Sequence, residues 1–167
     1  QLDRFFRKNK VLIIYGARRT GKTPILNEYV KTYDKKYLFV SGDDILIPGI
    51  LSSSSISKIQ EFCANYSLLI IDEAQNIPNI GHALKIIVDY KPDIQVIATG
   101  SSSFDLSNKV GEPLVGRQTI LTMFPISQQE LLHQYNTYEL RAALEQYLIF
   151  GSYPEVLTLD GATEKRE

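Results

Sequence analysis

Short apolar runs recur along the chain, unbroken at 11–15, 37–40 and 68–71, and between them lie stretches whose apolar residues return at three- and four-residue steps. The first pattern reads as a strand covered on both faces, the second as an amphipathic helix. Strands are expected at 11–15, 37–40, 68–71, 94–98 and 117–123. Helices are expected at 22–33, from the serines at 52–55 to about Tyr66, and at 79–90, 127–135 and 138–150. Ile25, Leu26, Tyr29 and Val30 mark the inner face of the first helix. Ile56, Ile59, Phe62, Cys63 and Tyr66 mark that of the second, and Ile80, Ala83, Leu84, Ile87 and Val88 that of the third. Leu2, Phe5 and Phe6 read as a helix end beside the first strand, Pro48-Gly49 as part of a loop, 104–109 as a short helix, 110–116 as a loop, 151–154 as a turn and the rest as a polar tail. No internal repeat is present. Strands alternating with helices predict an α/β fold, a parallel sheet with helices on both faces and a ligand crevice at the carboxyl ends of the strands.

The first strand runs directly into Gly16, four residues, and Gly21-Lys22-Thr23, which meets the pattern GxxxxGK[ST] between a strand and a helix. Gly16 and Gly21 let backbone amides approach an oxyanion without an intervening Cβ. Those amides and the N-terminus of the next helix form an anion nest. The loop residues Gly16, Ala17, Arg18, Arg19, Thr20, Gly21, Lys22, Thr23 and Pro24 are therefore candidate nucleotide contacts. Lys22 is expected on the β- and γ-phosphates and the Thr23 hydroxyl on Mg²⁺. Pro24 is tolerated in a first helical turn but removes one amide from the loop's edge.

The third strand ends in Asp72-Glu73. Asp72 is the expected second ligand-side residue for magnesium, and Glu73 the group that orients or deprotonates the attacking water. Taken alone, an Asp-Glu pair is equally well a helix cap; with the phosphate loop, the catalytic reading is favoured. Thr99 and Ser101 end the fourth strand, expected between strands one and three, where a hydroxyl reaches the terminal phosphate or the water; the alternative is a serine-rich turn. Arg117, opening strand five, is read either as an arginine finger supplied to a neighbouring subunit of a homo-oligomer or as an edge-strand salt bridge. Arg18 and Arg19 are candidates for phosphate or for a partner, but not both for the same task. An Asn-Lys-x-Asp guanine element is lacking, the nearest match being Asn108-Lys109-Val110-Gly111, so ATP is expected over GTP.

Composition narrows the picture little. A formal net charge of −1 gives no general pull toward nucleic acid or an anionic membrane, and the cluster Arg4, Arg7, Lys8 and Lys10 reads as a solvated helix face. The single cysteine, Cys63, excludes an intramolecular disulfide and a cysteine-based zinc site, and its apolar setting reads as buried filler. His82 has no partner at metal-ligand spacing. No run of about 18 apolar residues is present, so no membrane association and a cytoplasmic location are expected. Gln1 at the first position, in a stretch already patterned as a helix, leads us to expect part of a longer chain.

The motifs form an ordered series: 16–23, 71–75 (IDEAQ), 99–102 (TGSS), 115–117 (VGR), 124–127 (FPIS) with Glu130, and 151–155 (GSYPE). The series resembles the prokaryotic AAA-type ATPases that carry a GARRxGKT phosphate loop and an IDEAQ acidic strand. The resemblance implies a P-loop NTPase of the RecA/AAA-like kind, with a central five-stranded, mostly parallel sheet flanked by helices and a short C-terminal helical segment. It implies a nucleotide-binding core at 1–126, and at 127–167 the start of a lid or next domain; the C-terminal domain of longer family members is expected to be missing. Thr20 departs from a common aliphatic residue and Pro24 from a common hydroxyl. The function expected is an ATP-binding, Mg²⁺-dependent ATPase module coupled to an unknown partner or C-terminal domain. The alternative is a nucleotide-gated switch or scaffold with negligible hydrolysis. Small-molecule phosphotransfer fits less well, because Glu73 sits where water activation is expected. A protein or DNA partner is left open.

Overall fold

Every residue of β1, Val11–Gly16, is buried, as an apolar strand in the middle of a parallel sheet must be. The computed structural model describes residues 2–53, 55–101 and 113–159. The other strands are β2 (Tyr37–Ser41), β3 (Leu68–Asp72), β4 (Gln95–Gly100) and β5 (Gln118–Met123), in the order β2-β3-β4-β1-β5. All five strands run parallel, with Val11 opposite Val96, Leu68 opposite Gln95 and Tyr37 opposite Leu68 in the inner pairings. The fold is thus the α/β architecture expected, with strand four between strands one and three. The chain divides into two compact units. One comprises Gln1–Gly16 and Lys22–Thr122; the other comprises Ala17–Gly21 and Met123–Glu167.

In the first unit the core lies against one face of the sheet. Val11, Ile13 and Tyr15 of β1, Leu69 and Ile71 of β3, and Val96 and Ala98 of β4 meet buried residues of α2 (Leu46–Leu51), α3 (Ile56–Cys63) and α4 (Ile80–Tyr90). The alternate residues Leu12, Ile14, Leu68, Ile70 and Ile97 are buried too, and by strand alternation they point to the opposite face. All five apolar positions expected on α4 are buried.

α1 (Lys22–Lys31) is shorter than expected, and only Leu26 of its expected apolar face is fully buried. Its end tightens into three-residue bonds, Thr32 N to Tyr29 O at 3.2 Å and Tyr33 N to Val30 O at 3.3 Å. Tyr29 packs instead in an aromatic row with Phe6 and Tyr33, and its hydroxyl donates to Asp3 at 2.8 Å. Burial, and then that carboxylate, push its pKa well above the usual tyrosine value. The loop expected around Pro48-Gly49 is helical, as α2. Pro48 falls in the first turn, where its missing N–H costs little, and Asp44 Oδ1 accepts from Leu46 N at 2.9 Å to open the helix. At the end of α3, Lys91 Nζ donates to the carbonyls of Cys63, Ala64 and Tyr66 at 2.5, 2.8 and 3.0 Å. Burial pushes the Cys63 thiol up to about 11, in keeping with filler. The chain start is a 3-10 turn, Leu2–Phe5.

In the second unit, α5 (Gln128–Leu131) and α6 (Thr137–Ala142) each open with a capping box, built by Ser127 with Glu130 and Asn136 with Glu139. The single helix expected at 138–150 is broken: Ala143 leaves helical geometry at φ −88° and ψ 1°, and α7 (Leu144–Phe150) follows. The tail is not all irregular either, since Pro154 opens α8 (Pro154–Thr158). The helix expected at 104–109 lies outside the described residues. Among the described residues no helix is long and apolar enough to cross a membrane.

Two predictions follow from local geometry. Gly42 leaves β2 with its amide donating to Asp72 O at 2.7 Å, and a Cβ on it would stand 2.3 Å from Glu73 O. Because that neighbour is backbone, Gly42→Ala is expected to destabilise the fold by about 2–3 kcal/mol; an unchanged urea midpoint would contradict it. The Ser127 amide and hydroxyl hold the Glu130 carboxyl below its ordinary value. That contribution is present above the unfolded value of about 4.3 and is lost as pH falls through the depressed folded one. Ser127→Ala is expected to cost about 1 kcal/mol near pH 7, and thermal melts should show a smaller difference near pH 3.

Candidate functional site

The parallel register brings the ends of β3, β4 and β1 side by side, and their polar residues meet on one carboxylate. Asp72, only 7% exposed, closes β3. The Thr23 hydroxyl donates to its Oδ2 at 2.6 Å, and the Thr99 hydroxyl, fully buried, donates to its Oδ1. The Glu73 amide donates to both Thr99 Oγ1 and Asp72 Oδ1, each at 3.2 Å. Glu73 takes a left-handed backbone conformation, φ 49°, which a non-glycine residue holds at a cost of about 1–3 kcal/mol. Four of the residues singled out in the sequence are thereby brought together by direct bonds.

Lys22, the first residue of α1, is 5% exposed, and its Nζ donates to Gly16 O at 2.7 Å. The ammonium thus folds back onto the end of β1. Within the loop itself, Arg19 and Gly21 have positive φ, 66° and 92°, the kinked conformation that turns successive amides to one side. Thr20 is buried, with its hydroxyl donating to Ala17 O at 2.8 Å, so the loop satisfies the polar group that stands in an aliphatic position. Arg18 is exposed. Arg19 pairs with Glu155 at 3.3 Å, and a Cβ on Gly21 would stand 3.6 Å from Pro154 Cγ. Pro24 is exposed in the first turn of α1, where no intrahelical donor is needed.

Arg117 is not gathered into this network: its Nε pairs with Asp89 of α4 at 2.6 Å. Among the described residues Ser101 joins it through Gln75, whose Nε2 donates to Ser101 Oγ at 3.4 Å and to Glu73 Oε2. His82 is exposed. Sequence reading missed Gln75, Gly42 and Glu155. Gln75 stands in the IDEAQ run and Glu155 in the GSYPE run, so both lay inside quoted motifs without an assigned role.

The donor set can be tested against the ligands expected. Among the described residues no three His, Cys, Asp or Glu side chains cluster as a metal site. One carboxylate and one hydroxyl suit magnesium, which keeps waters and takes substrate phosphate oxygens in place of a full protein cage. Asp72 and Thr23 are the residues able to hold it, and Lys22 is a buried cation able to meet a phosphate oxygen.

The sequence pattern of the AAA domain family matches residues 8–132. The uncharacterized protein MJ1544 of Methanocaldococcus jannaschii is 28% identical over 173 residues, covering 95% of this chain and 39% of its own length. An uncharacterized protein of Haemophilus influenzae is 25% identical over 178 residues, covering 96% of this chain and 43% of its own. The chain therefore spans less than half the length of the curated relatives it matches. Among solved structures, domain III of the Thermotoga maritima replication initiation protein DnaA is similar, with a TM-score of 0.51 at 16% identity over 95% of this chain and 82% of that one, a likeness of fold. With that fold beneath it and the family pattern running through the loop, the acidic strand and the end of β4, the chain belongs to the AAA domain family.

Proposed function

We propose that this nucleotide-binding ATPase module binds ATP with Mg²⁺ and hydrolyses it, coupling the cycle to a partner or to a further domain. The observation that carries the reading is the Asp72 carboxylate, held by Thr23 at one oxygen and by Thr99 at the other. Two hydroxyls on one buried carboxylate place the start of α1 and the end of β4 at a common polar point. On this reading the loop from Gly16 through Thr23 binds the phosphates by its amides, Pro24 beside it having no N–H to give, with the Lys22 ammonium as the point charge. Thr23 and Asp72 hold the magnesium, which when bound neutralises charge on the phosphates. Glu73 accepts a proton from the attacking water, and Ser101 and Thr99 orient the water or the terminal phosphate.

Arg117 enters the proposal only in a homo-oligomer, where it would have to exchange Asp89 for the phosphates of a neighbour. ATP is proposed over GTP because the sequence lacks a guanine-reading element.

The tests separate binding from chemistry. Lys22→Ala is expected to weaken ATP binding at least about tenfold, since it removes a charge-assisted contact, as measured by calorimetry. Glu73→Gln is expected to retain ATP affinity while turnover falls by about 10²–10⁴-fold, as measured by phosphate release. Equal turnover in wild type and variant would remove Glu73 from the mechanism. Nucleotide binding with no turnover in the wild type would make the chain a nucleotide-gated switch.

A further inference from the structure

Gln75 has no part in the roles above, yet it is 8% exposed and sits on the carboxylate that the reaction would use. It lies in the 3-10 turn Ala74–Asn76 that follows β3, and Ala74 beside it is fully buried in the core. Ile77 N closes on Ala74 O at 3.1 Å and Asn76 N on Glu73 O at 3.0 Å, so the turn is itself hydrogen-bonded. From that turn the Gln75 amide nitrogen donates to Glu73 Oε2 and to Ser101 Oγ at 3.4 Å. A neutral amide that donates to a carboxylate fixes its rotamer without adding charge, and from a buried turn it does so with little freedom of its own. The backbone of Glu73 is fixed independently, by its two amide bonds and its left-handed φ. Backbone and side chain are thus held by different partners, Thr99 and Asp72 on the amide and Gln75 on the carboxylate.

We propose that Gln75 is the positioning residue for Glu73. It ties the Glu73 carboxylate to the Ser101 hydroxyl, so that the group at the end of β3 and the group at the end of β4 present to the water and terminal phosphate in one fixed relation. The proposal rests on the ATPase reading for its consequence, and on the hydrogen bonds for its geometry, and the two are tested apart.

The geometry is read by NMR of the nucleotide-free full chain. The Gln75 side-chain amide protons are expected to be shifted and slow to exchange, and Glu73→Ala is expected to return them to solvent-like values. Amide signals that do not respond to Glu73→Ala would overturn the tether whether or not the protein hydrolyses ATP. The consequence is read with Gln75→Met, which keeps the length and loses the donor. kcat is expected to fall at least about tenfold, with the affinity for a non-hydrolysable ATP analogue unchanged and the melting temperature close to wild type. Gln75→His, which restores a donor, is expected to recover part of the rate. A Gln75→Met kcat within twofold of wild type, or an equal loss of nucleotide affinity, would overturn the positioning role. Failure of the ATPase reading shows differently, as a wild-type rate at background with the Gln75 amide signals still dependent on Glu73.

Discussion

The site depends on strand register. Ile71 of β3 lies opposite Ala98 of β4, and Ile14 of β1 lies opposite Thr99. The next step along β3 is Asp72 and the next along β4 is Thr99, so the acid and the hydroxyl arrive beside each other at the edge of the sheet. Side chains alternate in a strand, and a one-residue slip would send Asp72 to the other face. β1 and β3 are buried along their whole lengths, so a slip would have to repack close-packed side chains on both faces. Core packing therefore fixes the chemistry: the residues that set the register are Leu, Ile and Val, and the polar residues merely ride on it.

Register alone brings a carboxylate to the right place without aiming it. Aiming comes from close approaches between chain segments. Gly42 lets the exit of β2 lie against the Glu73 carbonyl, and its amide takes the carbonyl of Asp72. Asn76 Nδ2 donates to Asp43 Oδ1 at 2.6 Å, tying the same two segments a second time. These contacts hold the turn after β3 where Glu73 must adopt φ 49°. A strained residue persists only where its surroundings over-determine it. Here the amide bonds to Thr99 and Asp72, the Gly42 contact and the bonded turn Ala74–Asn76 together do so.

The strands, the phosphate loop and the acidic strand end were legible because each is a local pattern with one physical meaning. An apolar run of five residues between turns can hardly be anything but a covered strand, and GxxxxGKT has few other uses. The helix over Leu46–Leu51 was not legible, because Pro48 and Gly49 are read as breakers until the helix start is known. The break at Ala143 was not legible either: it has no glycine or proline to mark it, and an alanine is the best of helix formers. Gln75 was quoted in a motif without a role, since an amide two residues past a glutamate says nothing about which oxygen it reaches. Such roles are long-range facts, set by how a turn folds back, and no period in the sequence encodes them.

The loop shows the same division between what is local and what is not. Its glycines and lysine announce phosphate, but two of its arginines are indistinguishable in sequence. In the structure both are exposed, but Arg19 holds a left-handed backbone and pairs with Glu155. Both partners of that pair are more than half exposed, so the bond contributes little to stability. Its effect is on the loop's charge. A carboxylate beside Arg19 offsets one of the loop's two guanidinium charges. A loop that presented two unfixed guanidinium groups would attract any polyanion. Fixing Arg19 on Glu155 reduces that pull toward what Arg18 alone supplies.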